Sequence, residues 1–70
     1  MDDTYRPAAR LREGWFVARD DGSFQEIVSL VQIVAPVGLA MVELADGFKA
    51  AIPHTREVNC RTAAEMASNA

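Results

Sequence analysis

The sequence predicts a small all-β domain that ends in a short C-terminal helix or a frayed tail. Apolar and polar residues alternate over several short runs, as they do in strands that bury one face. Two Asp-Gly pairs, Asp21-Gly22 and Asp46-Gly47, separate such runs and favour tight hairpins, which we expect to be type I′ turns. The chain has 70 residues, which is enough for one domain with a small core.

The composition excludes several classes of protein. Half of the residues are apolar and 24% are charged, which is typical of a folded chain. The net charge of −3 argues against a domain that binds mainly through phosphate contacts. Cys60 is the only cysteine, so we expect no intrachain disulfide and a reducing, cytoplasmic location. No signal peptide, membrane span, phosphate loop or zinc-ligand spacing occurs, so no membrane contact, cofactor or metal is expected.

The alternation predicts five strands joined by tight turns, at residues 15–19, 23–34, 39–45, 48–52 and 57–61. Pro53 interrupts the pattern, so a 3₁₀ turn is predicted at 53–56, before the last strand. Thr62 and Glu65 have the spacing of a capping box, which opens a short helix. The predicted domains are an N-terminal arm at 1–13, a β-domain at 14–61 and a helical or disordered tail at 62–70. The arm is either extended or forms one helical turn after Pro7.

This layout resembles the SH3-like small β-barrels. The resemblance covers about residues 11–61, and its signposts are turn and core positions: Gly14, Asp21-Gly22, Asp46-Gly47, Ile52-Pro53 and Glu57-Val58. It implies a five-stranded barrel. Barrels of this group serve as peptide-binding, nucleic-acid-binding and structural modules, so the resemblance implies no single function.

The second predicted strand is apolar on both faces. Ile27, Val31 and Ile33 share one parity, and Val28, Leu30 and Val34 share the other. A barrel has one interior, so one face should be polar. Two explanations remain open. A β-bulge shifts the parity midway, which is slightly favoured, or the terminal segments, a second copy or another protein cover the outer face.

The apolar surplus predicts a non-catalytic protein-interaction module that self-associates or docks on a larger protein. Leu39 and Met41 point outward beside the second strand and extend its apolar face. Trp15 has arginine neighbours, which is typical of an interface hot spot or a base-stacking residue, although it could equally cover the open end of the barrel. The predicted interaction residues are Trp15, Val28, Val31, Leu39 and Met41.

Two other functions were weighed against this one. A nucleic-acid-binding barrel would use the basic N-terminal segment, with Arg6, Arg10, Arg12 and Arg19 as its contacts, but the acidic net charge disfavours it. An enzyme would need a catalytic set around His54 or Cys60, and none is visible. His54 is expected to be a solvated turn residue, and Cys60 alternates with Val58, as a buried core residue does.

Overall fold

The computed structural model describes residues 5–68, which form a six-stranded antiparallel sheet with one 3₁₀ helix and one short α-helix. The elements are β1 (Tyr5–Pro7), the 3₁₀ helix (Ala8–Arg10), β2 (Phe16–Ala18), β3 (Phe24–Ile33), β4 (Leu39–Leu44), β5 (Lys49–Pro53), β6 (Glu57–Arg61) and α1 (Ala63–Ser68). The prediction of an all-β chain with a short C-terminal helix is confirmed. The first four residues of the predicted arm and the last two of the predicted tail lie outside the described residues.

The strands follow the order β1-β6-β2-β3-β4-β5. The last strand in the chain, β6, therefore lies between β1 and β2. β3 pairs with β2 through its first part and with β4 through its second part. Among the described residues, β1 and β5 are the two open edges of the sheet. The strand count is six where five were predicted, because Tyr5–Pro7 pairs with β6. No helix within residues 5–68 is long and apolar enough to cross a membrane.

A β-bulge at Val28 explains the two-sided apolarity of β3. The pairing with β4 shifts register between Ile27 and Ser29, which leaves Val28 as the extra residue. Ile27 is 1% exposed and Val28 is 51% exposed. Beyond the bulge the inward parity changes, so Leu30 lies opposite the buried Val42. The bulge prediction is therefore confirmed, and it accounts for part of the apolar surplus.

The two Asp-Gly hairpins are not type I′ turns, so that prediction was wrong. In the first loop, Gly22 N donates to Arg19 O over 2.9 Å and Arg19 N donates to Ser23 O over 2.7 Å. The loop at 45–47 repeats this pattern, and the glycines have φ of 89° and 92°. These are three-residue loops, a type I turn followed by a glycine bulge.

The aspartates account for the difference in turn type. A type I′ turn needs positive φ at both central residues, and no non-glycine residue between 5 and 68 has one. At negative φ, Asp21 Oδ1 accepts the backbone N–H of Ser23 over 2.9 Å, and Asp46 Oδ1 accepts that of Phe48 over 3.0 Å. These Asx bonds favour the longer loop, which keeps the positive φ on glycine alone.

The 3₁₀ helix lies at the N-terminus, where one helical turn after Pro7 was one of the two forms predicted for the arm, and the predicted turn at 53–56 is present as one hydrogen-bonded turn. Residues 53–56 form a single turn, in which Arg56 N donates to Pro53 O over 2.9 Å. The N-terminal segment is hydrogen-bonded to that turn, because Ala8 N donates to Arg56 O over 2.9 Å. The segment predicted to be an arm is thereby fixed against the sheet.

The core is small and includes part of the N-terminal segment. Its buried residues are Ala8, Leu11, Ile27, Ala40, Val42, Leu44, Val58 and Cys60. Ala8 and Leu11 come from outside the predicted β-domain, and the 3₁₀ helix contacts β4 and β5. The segment before β2 therefore contributes to the core and packs against β4 and β5.

Candidate interaction surface

Six apolar residues lie on one side of β3, β4 and β5, and we call them the outer face. The strand register places them in two rows, each of which crosses all three strands. One row is Val31, Met41 and Ala51, and the other is Ile33, Leu39 and Pro53. Directly opposite residues of neighbouring strands have Cβ atoms ~4.5–5.5 Å apart, so each row is a continuous strip.

The outer face is open to solvent. Val31 is 57% exposed and Met41 is 42% exposed, although both are large apolar residues. Ala51 and Pro53 are exposed as well, and Ile33 and Leu39 are half-buried. The loop from β3 to β4 adds the exposed Val34 and Val37. Single exposed apolar residues are ordinary, but a contiguous group on one sheet face is typical of an interaction site.

A polar row borders the outer face at the end next to the bulge. It consists of Ser29, Glu43 and Lys49, which are cross-strand neighbours on β3, β4 and β5. The carboxylate of Glu43 thus has a lysine on the adjacent strand, and the row carries no net charge. The surface therefore combines an apolar centre with a neutral polar border, as interfaces between proteins commonly do.

The predicted interaction residues fall into two groups. Val31, Leu39 and Met41 share the outer face, and Val28 is exposed at the bulge beside it. Trp15 is half-buried and packs against the core, with the guanidinium of Arg6 5.4 Å from the centre of its ring. Trp15 therefore contacts both the core and Arg6 of the N-terminal segment.

Sequence reasoning missed three members of the outer face, namely Ile33, Ala51 and Pro53. In a regular strand Ile33 would point to the same side as the buried Ile27. The bulge turns it to the opposite side. Ala51 has a small side chain and Pro53 is a residue that usually interrupts strands, so neither indicates an apolar face by itself. Only their register opposite Met41 and Leu39 identifies them, and a single sequence contains no direct signal for that register.

Two of the four arginines predicted to contact nucleic acid are paired within the chain. Arg6 Nη2 lies 2.7 Å from Glu65 Oε2, and Arg19 Nε lies 3.0 Å from Asp46 Oδ2. The Arg19 guanidinium also stacks on the ring of Phe48, with 3.9 Å to its centre. Arg10 and Arg12 are exposed. These ion pairs remove much of the basic surface that phosphate binding would use.

Arg6, Thr62 and Glu65 form what we call the terminal clasp. The predicted capping box is confirmed, because Thr62 N donates to Glu65 Oε1 over 2.8 Å and Glu65 N donates to Thr62 Oγ1 over 3.1 Å. Arg6 binds the other carboxylate oxygen of Glu65 and also donates to Cys60 O over 3.2 Å. The clasp thereby connects β1, β6 and α1. The Arg6 hydrogen bond, followed by that of the Thr62 backbone, lowers the pKa of Glu65.

The clasp predicts a loss of stability in acid. A carboxyl group with a lowered folded-state pKa stabilises the fold above its unfolded pKa, ~4.3 for Glu, and this contribution is lost as pH falls through the folded value. In Glu65→Gln, the free energy of unfolding should therefore change less between neutral pH and about pH 3 than in the parent chain. Urea unfolding followed by Trp15 fluorescence measures both values. If the free energy of unfolding depended on pH identically in the two chains, the clasp would contribute nothing to stability.

His54 and Cys60 have structural surroundings. His54 Nε2 is hydrogen-bonded to Gln32 Oε1, and Gln32 Nε2 donates to Ala8 O over 3.4 Å. Gly38 lies so close to the imidazole that a Cβ there would collide with it. His54 lies in the predicted turn, where its side chain is half-buried and hydrogen-bonded rather than fully solvated. Cys60 is fully buried, as predicted, and burial raises the pKa of its thiol.

Residues 5–68 contain no group of three or more acidic, His or Cys side chains that could hold a metal.

No protein-family model, curated protein or solved structure matches this chain. Its function is therefore inferred from the geometry of residues 5–68.

Proposed function

We propose that the chain is an SH3-like, non-catalytic interaction domain that forms a homodimer through its outer face. The strand order supports the SH3-like assignment, because β2 to β6 follow one another as five antiparallel strands with the last beside the first. The bend of β3 supports it too, since β3 serves two halves of the sheet and carries a bulge between them.

The single observation that carries the proposed function is the two-row apolar face with Val31 and Met41 exposed at its centre. Burying such side chains against an apolar surface contributes ~25 cal/mol for each Å² removed from water. The bulge leaves these residues outside, so the core does not use them. No part of residues 5–68 buries them, and a partner copy would do so.

The register makes the outer face complementary to itself. A two-fold axis along β4 places β3 of one copy over β5 of the other, so Val31 meets Ala51 of the partner copy and Ile33 meets its Pro53. At the ends of each row a larger side chain then faces a smaller one, while Met41 and Leu39 meet their own copies across the axis. At the border, each Glu43 keeps Lys49 as its neighbour, which offsets the repulsion between the two Glu43 carboxylates.

The test is the mass of the chain in solution. Six residues on each side are fewer than the ~20–30 of a standard interface, so we expect a weak dimer that dissociates on dilution. Sedimentation equilibrium should give a mass that rises with concentration from 7.6 kDa towards twice that value. Added salt of about 0.5 M should leave this association intact, because apolar contacts are not screened. A chain that stays monomeric up to about 1 mM contradicts the proposal.

A further inference from the structure

β5 presents a free strand edge beside an open cleft. The bonds from Leu44 N to Phe48 O and from His54 N to Gly38 O fix the phase of the β4–β5 ladder. In an antiparallel pair the hydrogen-bonded residues alternate, so Ala50 and Ile52 bond to β4. The N–H and C=O groups of Lys49 and Ala51 therefore point away from the sheet, and β5 has no second strand partner among residues 5–68.

A cleft of about 600 Å³ runs along this edge, between β5 and β6. Ala18, Ala50, Ile52 and Val58 give it an apolar lining. Its charged lining residues are Asp20, near Phe48, and Arg56 and Glu57, which follow Pro53 in the chain. The cleft is also lined by Asn59, whose Oδ1 is buried and accepts no hydrogen bond from the described residues. The site thus offers backbone groups, apolar space and two carboxylates against one guanidinium, which leaves the lining with a net negative charge.

We propose that an extended peptide adds to the edge of β5 as a further strand, places one apolar side chain in the cleft, and directs basic side chains to Asp20 and Glu57. Main-chain hydrogen bonds to Lys49 and Ala51 set the register of the added strand. The net negative charge of the lining favours a peptide with basic flanks. The peptide binds the backbone edge of β5, whereas the outer face consists of side chains of β3, β4 and β5, so this proposal does not depend on dimerisation.

A second copy of the chain fits this edge less well than a peptide does. Antiparallel pairing of two β5 strands about Ala51 would place Lys49 opposite Pro53 of the partner copy. Pro53 has no N–H to donate, so each end of that pairing loses a bond. A free peptide without proline has no such restriction.

The probe is the blocked peptide acetyl-Lys-Thr-Val-Thr-Lys-amide, added to the full, ¹⁵N-labelled chain. With valine opposite Ala50, the two threonines lie opposite Lys49 and Ala51 in the added strand. The two lysines then extend towards Asp20 and Glu57. Saturating peptide should slow amide hydrogen exchange of Lys49 and Ala51 by about tenfold or more, while Ala50 and Ile52, already bonded to β4, change little. N-methylation of both threonines should abolish binding, and N-methylation of the valine should leave it unchanged.

The charge requirement is tested with two controls. The peptide with glutamate at both ends should bind more weakly, and the Asp20→Asn, Glu57→Gln chain should lose about fivefold in affinity for the lysine peptide. Met41→Lys, which alters only the outer face, should bind the peptide as the parent chain does. The proposal is overturned if Lys49 and Ala51 gain no protection, if the valine-methylated peptide fails to bind, or if protection appears without peptide as the chain is concentrated.

Discussion

Ile27→Ala should cost about 2–5 kcal/mol of unfolding free energy, whereas Val28→Ala should cost less than about 0.5 kcal/mol. The two residues are adjacent on β3, and both are large aliphatic side chains. The bulge gives them opposite environments, because Ile27 is 1% exposed and Val28 is 51% exposed. Truncating Ile27 removes buried methyl groups and leaves a cavity, and truncating Val28 does neither.

Thermal unfolding followed by Trp15 fluorescence measures this contrast. For a domain of this size, 1 kcal/mol corresponds to ~4–8 °C in the midpoint, so the two variants should be clearly separated. Total stability is itself only ~5–15 kcal/mol, so Ile27→Ala should be partly unfolded at modest temperature. Equal losses in the two variants would mean that β3 is not bulged at Val28.

Met41→Lys should convert the dimer into a monomer while the fold remains intact. The side chain lies at the centre of the outer face, between Val31 and Ala51, and is 42% exposed in the single chain. In the dimer, a lysine there would place two ammonium groups in an apolar interface without partners. Loss of a central interface residue costs ~2 kcal/mol or more, which weakens dimerisation by at least ~30-fold.

Ala63→Lys is the matched control for Met41→Lys. It adds the same charge at an exposed position of α1, away from the outer face. Sedimentation equilibrium of the two variants at equal concentration separates a specific interface from a general effect of net charge. Equal dissociation in both variants, or a Met41→Lys chain that still dimerises, would exclude the outer face as the interface.

The features of the fold that depend on near neighbours were predictable from the sequence. Asp-Gly pairs located both hairpins, and the double apolar parity of β3 indicated its bulge. The turn type was missed because the Asx bonds of Asp21 and Asp46 select a longer loop, and that preference is not visible in the Asp-Gly pair itself. β1 was missed because three residues show no alternation, and their pairing with β6 joins positions that are 50 to 54 residues apart in the chain.

The candidate site was predicted only in part, for a similar reason. Met41 was identified because it is apolar at an outward position, and Val31 because its strand is apolar on both faces. The rows that join them to Ala51 and Pro53 depend on the register of three strands. Arg6 and Arg19 looked available to an external ligand, and their actual partners, Glu65 and Asp46, lie 59 and 27 residues away.

Contacts between copies of the chain test the proposed interface most directly. In a mixture of isotope-labelled and unlabelled chains, isotope-filtered NMR detects only the protons of one copy that lie near the other. Self-association through the outer face predicts intermolecular contacts from the Met41 methyl group to Met41 of the partner copy, and from the Val31 methyl groups to Ala51 of the partner copy. Intermolecular contacts confined to other surfaces, or none at concentrations where the mass has doubled, would contradict it.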